Sequence, residues 1–189
     1  VALLGESGSG KSTLLKVLAA MCTADGDYEI NGHPVRDYDY TEFRRQVTLL
    51  PQKSFVFRAS IRDNVSMFSG SAQEDEALEQ VLARTGLSKW YAARGASMDT
   101  QIGSDAHALS GGEERRLDLA RTLWKHGSLV MLDEPTSGLD EKTRMALEQQ
   151  ILEIPCDLLI VAMHNYSPDF LKRFTHVLHI QNGVLAAAP

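Results

Sequence analysis

Eight residues near the start of the chain limit its fold more than any other feature. Gly5-Glu6-Ser7-Gly8-Ser9-Gly10-Lys11-Ser12 has the Gly-x4-Gly-Lys-Ser spacing of a phosphate-binding loop. Such a loop works between a strand and a helix. The strand sets it at a sheet edge, and the helix start turns free backbone N–H groups toward an anion. Both flanks match: Val1-Ala2-Leu3-Leu4 is the end of an apolar strand, and Leu14, Leu15, Val17 and Leu18 form a helical apolar stripe running to about Met21. The glycines let the main chain approach phosphates closely. Lys11 is placed to reach the outer phosphates, the Ser12 hydroxyl to ligate Mg²⁺, and Thr13 to complete the binding run. The first residue is Val1 rather than Met, so the chain reads as cut from something longer, with the start of its leading strand missing.

Strand and helix patterns alternate on either side of a long helical stretch. Asn31-Gly32 between Tyr28-Glu29-Ile30 and His33-Pro34-Val35 is a hairpin signal, and Val47-Thr48-Leu49-Leu50 is a short apolar strand. From residue 61 to about 125 the pattern is mainly helical, which predicts a helical lobe, and residues 71–85 open with Ser71 and Glu74 in capping-box spacing. Further on come apolar strands at 129–132 and 158–163, helices at 141–152 and 167–174, and a last hairpin at 177–186 turning on Asn182-Gly183. The pattern predicts one α/β domain over residues 1–189, with a mostly parallel sheet, flanking helices and a truncated antiparallel β edge.

Composition narrows the partners. A formal charge of −6 gives no basic field for gripping a nucleic-acid backbone, so nucleic acid is not an expected partner. Cys22 and Cys156 are in neither disulfide-framework nor metal-site spacing. The apolar run at 158–163 is far below the roughly 20 residues of a membrane-spanning helix, so any membrane association comes through another domain or chain.

Two more segments carry chemistry. Leu129-Val130-Met131-Leu132-Asp133-Glu134-Pro135 is an apolar strand ending in two carboxylates. Beside a phosphate loop, Asp133 is expected in the Mg²⁺ shell, and Glu134 is expected to orient and deprotonate an attacking water. Leu109-Ser110-Gly111-Gly112-Glu113 opens a helix to Lys125. Ser110 and Glu113 form a capping box, and the positive helix start makes Ser110, Gly111 and Gly112 a second potential phosphate site. Arg115 and Arg116 read as a solvated face of that helix, and His107 has no assignable role.

The phosphate loop, Leu-Ser-Gly-Gly-Glu, Leu-Asp-Glu-Pro-Thr-Ser-Gly-Leu-Asp and a later strand-end His, in that order along the whole chain, resemble the nucleotide-binding domain of the ABC ATPase superfamily. The resemblance implies a P-loop NTPase core that binds ATP with Mg²⁺. It implies that Gln52 is the Q-loop residue that senses Mg²⁺ and couples to a membrane domain. It further implies that Ser137-Gly138-Leu139-Asp140 is the D-loop and that His164 is the switch histidine near the γ-phosphate. The catalytic set is then Lys11, Glu134 and His164. Pro51-Gln52-Lys53-Ser54-Phe55-Val56-Phe57 followed by Ser60-Ile61-Arg62-Asp63-Asn64-Val65 is similar to the exporter branch, where the segment after the Q-loop packs on a transmembrane coupling helix. Exporters commonly carry Gln where Glu113 stands, and Gln101-Ile102-Gly103-Ser104-Asp105 matches their acidic segment only in part. Members of the family stack the adenine on an aromatic residue well before the phosphate loop, and this chain has no residue at that place. Because one domain cannot turn both phosphate sites on one ligand, the resemblance implies two copies paired head to tail, working at the cytoplasmic face of the cell membrane. A soluble ABC ATPase acting in DNA repair or translation has the same catalytic set. Repair types place a long coiled coil between the loop and Ser110, and no sustained heptads occur there. The presence of both Glu134 and His164 opposes a regulatory domain without turnover.

Overall fold

A computed structural model of the chain describes residues 1–103 and 108–187. Its main sheet is built from the strands that read as continuous apolar runs: β1 (Ala2–Leu4), β4 (Val47–Leu50), β7 (Leu129–Asp133) and β8 (Leu158–Met163). With β9 (Val177–Gln181) and β10 (Val184–Ala187) they lie in the order β10-β9-β1-β8-β7-β4. All pairings are parallel except β9 with β10, the antiparallel edge turned by Asn182-Gly183. Parallel strands buried on both faces need apolar side chains on both. In β7, Val130 and Leu132 join one apolar cluster and Met131 the other, following the two-residue period of a strand. The Met131 cluster packs under α1 (Lys11–Leu18) and α2 (Tyr40–Gln46) through Leu15 and Phe43. The opposite cluster takes in Leu117 and Leu119 of α6 (Gly111–Lys125) and Leu147 and Ile151 of α7 (Glu141–Leu152).

Parallel registration has one functional consequence. Leu4 pairs with Met163, Leu50 with Leu132, and Asp133 with Ala162, so β1, β4, β7 and β8 all end on one edge of the sheet. Open α/β sheets bind ligands at that edge.

The α1 helix stops at Leu18, short of Met21. Ala20 takes a left-handed φ of 51°, with Ala20 N donating to Val17 O and Met21 N to Lys16 O, a Schellman closure that keeps the apolar spacing but ends the helix. The second helix of the late pattern is also shorter, α8 (Pro168–Leu171). Beyond it Arg173 N and Phe174 N donate to carbonyls three residues back. Asn31 and Gly32 turn the hairpin of β2 (Glu29–Ile30) and β3 (His33–Pro34) with φ of 53° and 78°.

The mainly helical stretch contains α3 (Ile61–Ser66), α4 (Asp75–Arg84), α5 (Ser88–Ala93) and then α6. A short ladder that periodicity did not reveal ties its start to its middle: β5 (Ala59–Ser60), just before the stretch, pairs antiparallel with β6 (Gln101–Ile102) within it. Ser60 leaves that ladder as the N-cap of α3. Its Oγ accepts from Asp63 N at 3.0 Å and donates to Asp63 Oδ2 at 2.6 Å. Ser60→Ala is therefore expected to lower stability by about 1 kcal/mol, read as a lower urea midpoint with an unchanged slope. An unmoved midpoint would mean that packing alone holds α3.

Candidate active site

The phosphate loop leaves β1 and enters α1 as its spacing predicts. At Gly5 a Cβ would sit 2.5 Å from Ile180 O of β9, so only glycine fits there. Gly10, with φ 106°, turns the chain directly into α1. That helix has no acidic residue in its first turn, so the positive end of its dipole is uncompensated. Glu6, Ser7, Gly8 and Thr13 are exposed, whereas Gly5, Ser9, Gly10 and Ser12 are partly covered. A cleft of about 660 Å³ lies between residues 5–10 and the tip of the β9–β10 hairpin. That volume is within the range of small-molecule sites.

Lys11 is only 3% exposed. Its ammonium donates to Gly5 O at 2.7 Å and Glu6 O at 2.8 Å, and lies 3.7 Å from Glu134 Oε1. Glu134, 7% exposed, is the residue on which the strand ends converge. Gln52, two residues beyond β4, donates from Nε2 to Glu134 Oε2 at 2.8 Å. His164, next after β8, places Nδ1 3.0 Å from Oε1, a hydrogen bond when that nitrogen carries the proton. Glu134 itself adopts a left-handed φ of 49°, held by its N–H donating to Ala162 O at 2.8 Å. A non-glycine residue in that region is strained, and such strain gathers where a side chain must be aimed.

Asp133, just before it, is 5% exposed, and its Oδ1 has no hydrogen-bond partner among the described residues. A buried carboxylate oxygen without a donor is costly, and a cation removes the cost. Among the described residues no group of three or more His, Cys, Asp and Glu forms a metal cage. Oxygen donors as sparse as Asp133 and the Ser12 hydroxyl fit Mg²⁺, which usually completes its shell with phosphates and water.

Ser110, Gly111 and Gly112 stand apart from this cluster. Ser110 caps α6, accepting from Glu113 N at 3.4 Å, while Glu113 Oε2 accepts from Ser110 N at 2.8 Å. Ser110 and Gly111 are exposed, and no hydrogen bond among the described residues joins this helix start to residues 5–13. Its neighbours are instead Leu139, just before α7, and Thr143 in the first turn of α7: a Cβ on Gly112 would meet Thr143 Cγ2 at 3.6 Å. Ser104, Asp105 and His107 lie outside the described residues.

The solvated reading of Arg115 and Arg116 is corrected by the structure. Arg115 is 7% exposed, and its guanidinium donates to Pro51 O at 3.1 Å and to Gln52 O. Arg116, half-buried, donates to Thr85 O at 3.1 Å. Arg121 is buried as well. It donates to Asn64 O, Phe55 O and Asp118 Oδ1 and covers the Phe55 ring at 4.3 Å. Burial pushes the Arg115 and Arg121 guanidinium groups below their usual value, although nearby carboxylates oppose it, and pushes the Asp118 carboxyl above its own. Sequence reasoning missed these residues. The available signal was charge of alternating sign at 115, 118 and 121, which puts Arg, Asp and Arg on one helix face.

Residues 1–137 match the model of the ABC transporter family. The chain is 36% identical over 187 residues to the glutathione/L-cysteine transport system ATP-binding/permease protein CydC of Escherichia coli (strain K12), covering 97% of this chain and 31% of that protein. It is 33% identical over 185 residues to the ATP-dependent lipid A-core flippase of Vibrio cholerae serotype O1, with coverages of 97% and 31%. Among solved structures, a bacterial Atm1-family ABC exporter with ATP bound superposes with a TM-score of 0.82 at 26% identity, over 98% of this chain and 32% of that one. The chain thus spans about a third of the length of the relatives it matches. It belongs to the ABC transporter family, as that family's nucleotide-binding ATPase portion.

Proposed function

We propose that this chain is the ATP-hydrolysing motor of an exporter. The single observation that carries the reading is the meeting of Lys11, Gln52 and His164 on the Glu134 carboxylate at the sheet edge beside the phosphate loop. ATP takes the cleft with its phosphates on residues 5–13, and Lys11 exchanges the Gly5 and Glu6 carbonyls for β- and γ-phosphate oxygens. Glu134 takes a proton from water as the water oxygen bonds to the γ-phosphorus and the bond to ADP breaks. Gln52 and His164 hold the carboxylate in line for that transfer. Ser12, Asp133 and Gln52 would hold Mg²⁺, whose charge offsets that building on the phosphate oxygens. Ser110 and Gly111 are exposed, Gly112 is partly covered, and all three stand apart from the loop of their own chain, which supports a head-to-tail pair in which each α6 start covers the γ-phosphate bound by the other copy.

The membrane partner is supported by a groove of about 510 Å³ beside β4 and α6, lined in part by Pro51, Phe55, Met67 and Trp124. Phe55, Met67 and Phe68 are exposed at 39%, 47% and 59%. Apolar surface of this kind marks contact with another domain. No helix among the described residues is long and apolar enough to cross a membrane. The partner is then the membrane portion of the intact protein or a separate subunit, and the chain works at the cytoplasmic face. Within the domain, the helical lobe of this reading spans about residues 61–125, with α3, α4, α5 and α6 as its helices.

Phosphate release by the intact protein, titrated with Mg²⁺, tests the reading. Turnover requires Mg²⁺, and Asp133→Asn is expected to raise the concentration for half-maximal rate about 10- to 100-fold. An unchanged Mg²⁺ dependence would remove Asp133 from the metal's shell, turnover without any divalent cation would remove the metal from the mechanism, and no phosphate release at saturating Mg²⁺ and ATP would contradict the hydrolytic reading.

A further inference from the structure

We propose that Arg115 is a positioning residue: from the first turns of α6 it fixes the backbone of Gln52, and through it the Glu134 carboxylate. The inference rests on the proposed catalytic roles of Gln52 and Glu134 and adds to them a link to α6.

Gln52 is exposed and lies beyond the end of β4, so the sheet ladder does not hold it. Its amide nevertheless meets Glu134 Oε2 at 2.8 Å, which requires a fixed main chain beneath a long side chain. The planar guanidinium of Arg115 supplies that fixation, because its fork spans two successive carbonyls, Pro51 O and Gln52 O. Asp118, one turn on, faces the same guanidinium with Oδ2 at 3.7 Å, so the buried charge is compensated. Glu114 of the same helix, and Asp133 and Glu134 at the sheet edge, add to the negative field around Arg115. Two turns further, Arg121 takes Phe55 O and Asn64 O, so the segment 51–55 hangs from α6 at two points. The same helix is capped at its start by Ser110. Any displacement of that helix start is therefore carried to Gln52 through Arg115.

A residue that only supported packing would act independently of Gln52, whereas a residue acting through Gln52 loses its effect once Gln52 is gone. Phosphate release and nucleotide affinity of the intact protein are measured for Gln52→Ala, Arg115→Ala, the double variant and Arg115→Lys. Arg115→Ala is expected to lower turnover between about tenfold and 10²-fold, because small misplacements of catalytic groups cost that much. Nucleotide affinity stays within about twofold, and Arg115→Ala added to Gln52→Ala costs no more than about twofold further. Arg115→Lys keeps the charge beside Asp118 but not the fork, and restores only part of the rate. Losses that multiply in the double variant, an unaffected rate in Arg115→Ala, or full activity in Arg115→Lys would overturn the proposal. If Arg115→Ala loses nucleotide affinity through misfolding, Arg115→Lys with and without Gln52→Ala gives the same comparison. Glu134→Gln in the same assay separates the two readings. If it is inactive while the Arg115 and Gln52 losses multiply, only the link fails; if it is active while those losses are shared, only the general-base assignment fails.

Discussion

Turnover of the intact protein is expected to fall roughly 10² to 10⁴-fold in Glu134→Gln while nucleotide stays bound, since the amide keeps the shape of the carboxylate but cannot accept the water's proton. The structure says how the variant accommodates the change. A glutamine can turn its carbonyl oxygen toward Gln52 Nε2, keeping the bond that spans 2.8 Å in the parent. Its amide nitrogen then takes the place of Oε1 and faces Lys11 Nζ and His164 Nδ1, at 3.7 Å and 3.0 Å from that oxygen. The histidine restores the contact by moving its proton to Nε2 and accepting through Nδ1. Lys11 loses its ion pair but keeps the carbonyls of Gly5 and Glu6, so the phosphate loop retains its cation. Phosphate release and titration with a fluorescent nucleotide report the two halves of the expectation. Surviving turnover would remove Glu134 as general base. Lost binding would instead mean that its charge is needed to hold Lys11 in the loop.

Much of this site was legible because its parts are local. The loop at 5–12, the apolar strand ending in Asp133-Glu134 and the capping box at Ser110 each state their geometry within ten residues, and the structure places an element boundary at each. The pattern also predicted parallel strands, since apolar runs without alternation are buried on both faces. What it could not supply was order. That β1 lies between β8 and β9, so that His164 and the phosphate loop emerge from adjacent strands, is a matter of long-range pairing. The left-handed φ of Glu134 was hidden for a similar reason, because Ala162 of the neighbouring strand holds it. Arg115 and Arg116 misled because charged helix residues are usually solvated, and their partners lie in segments 64 and 31 residues away in sequence. The β5–β6 ladder was lost within a helical stretch, since two-residue strands have no measurable period.

The pairing of two copies through ATP makes the sharpest demand on the account. If the γ-phosphate held by residues 5–13 of one copy is covered by the α6 start of another, unhydrolysed ATP should join the two, because a ligand that binds the closed pair more tightly than the separate copies stabilises the pair by mass action. In the ATPase portion carrying Glu134→Gln, ATP is not consumed and dimers accumulate. Adding Ser110→Arg puts a long side chain at the exposed helix start where the phosphate must lie. It also removes the cap oxygen that accepts from Glu113 N, a loss of about 1 kcal/mol of helix stability, so ATP binding is titrated in parallel to show that each copy remains folded. Light scattering with Mg·ATP then decides: dimers in Glu134→Gln and monomers with intact ATP binding in Glu134→Gln/Ser110→Arg are the predicted result, and dimers that persist in the double variant would contradict it.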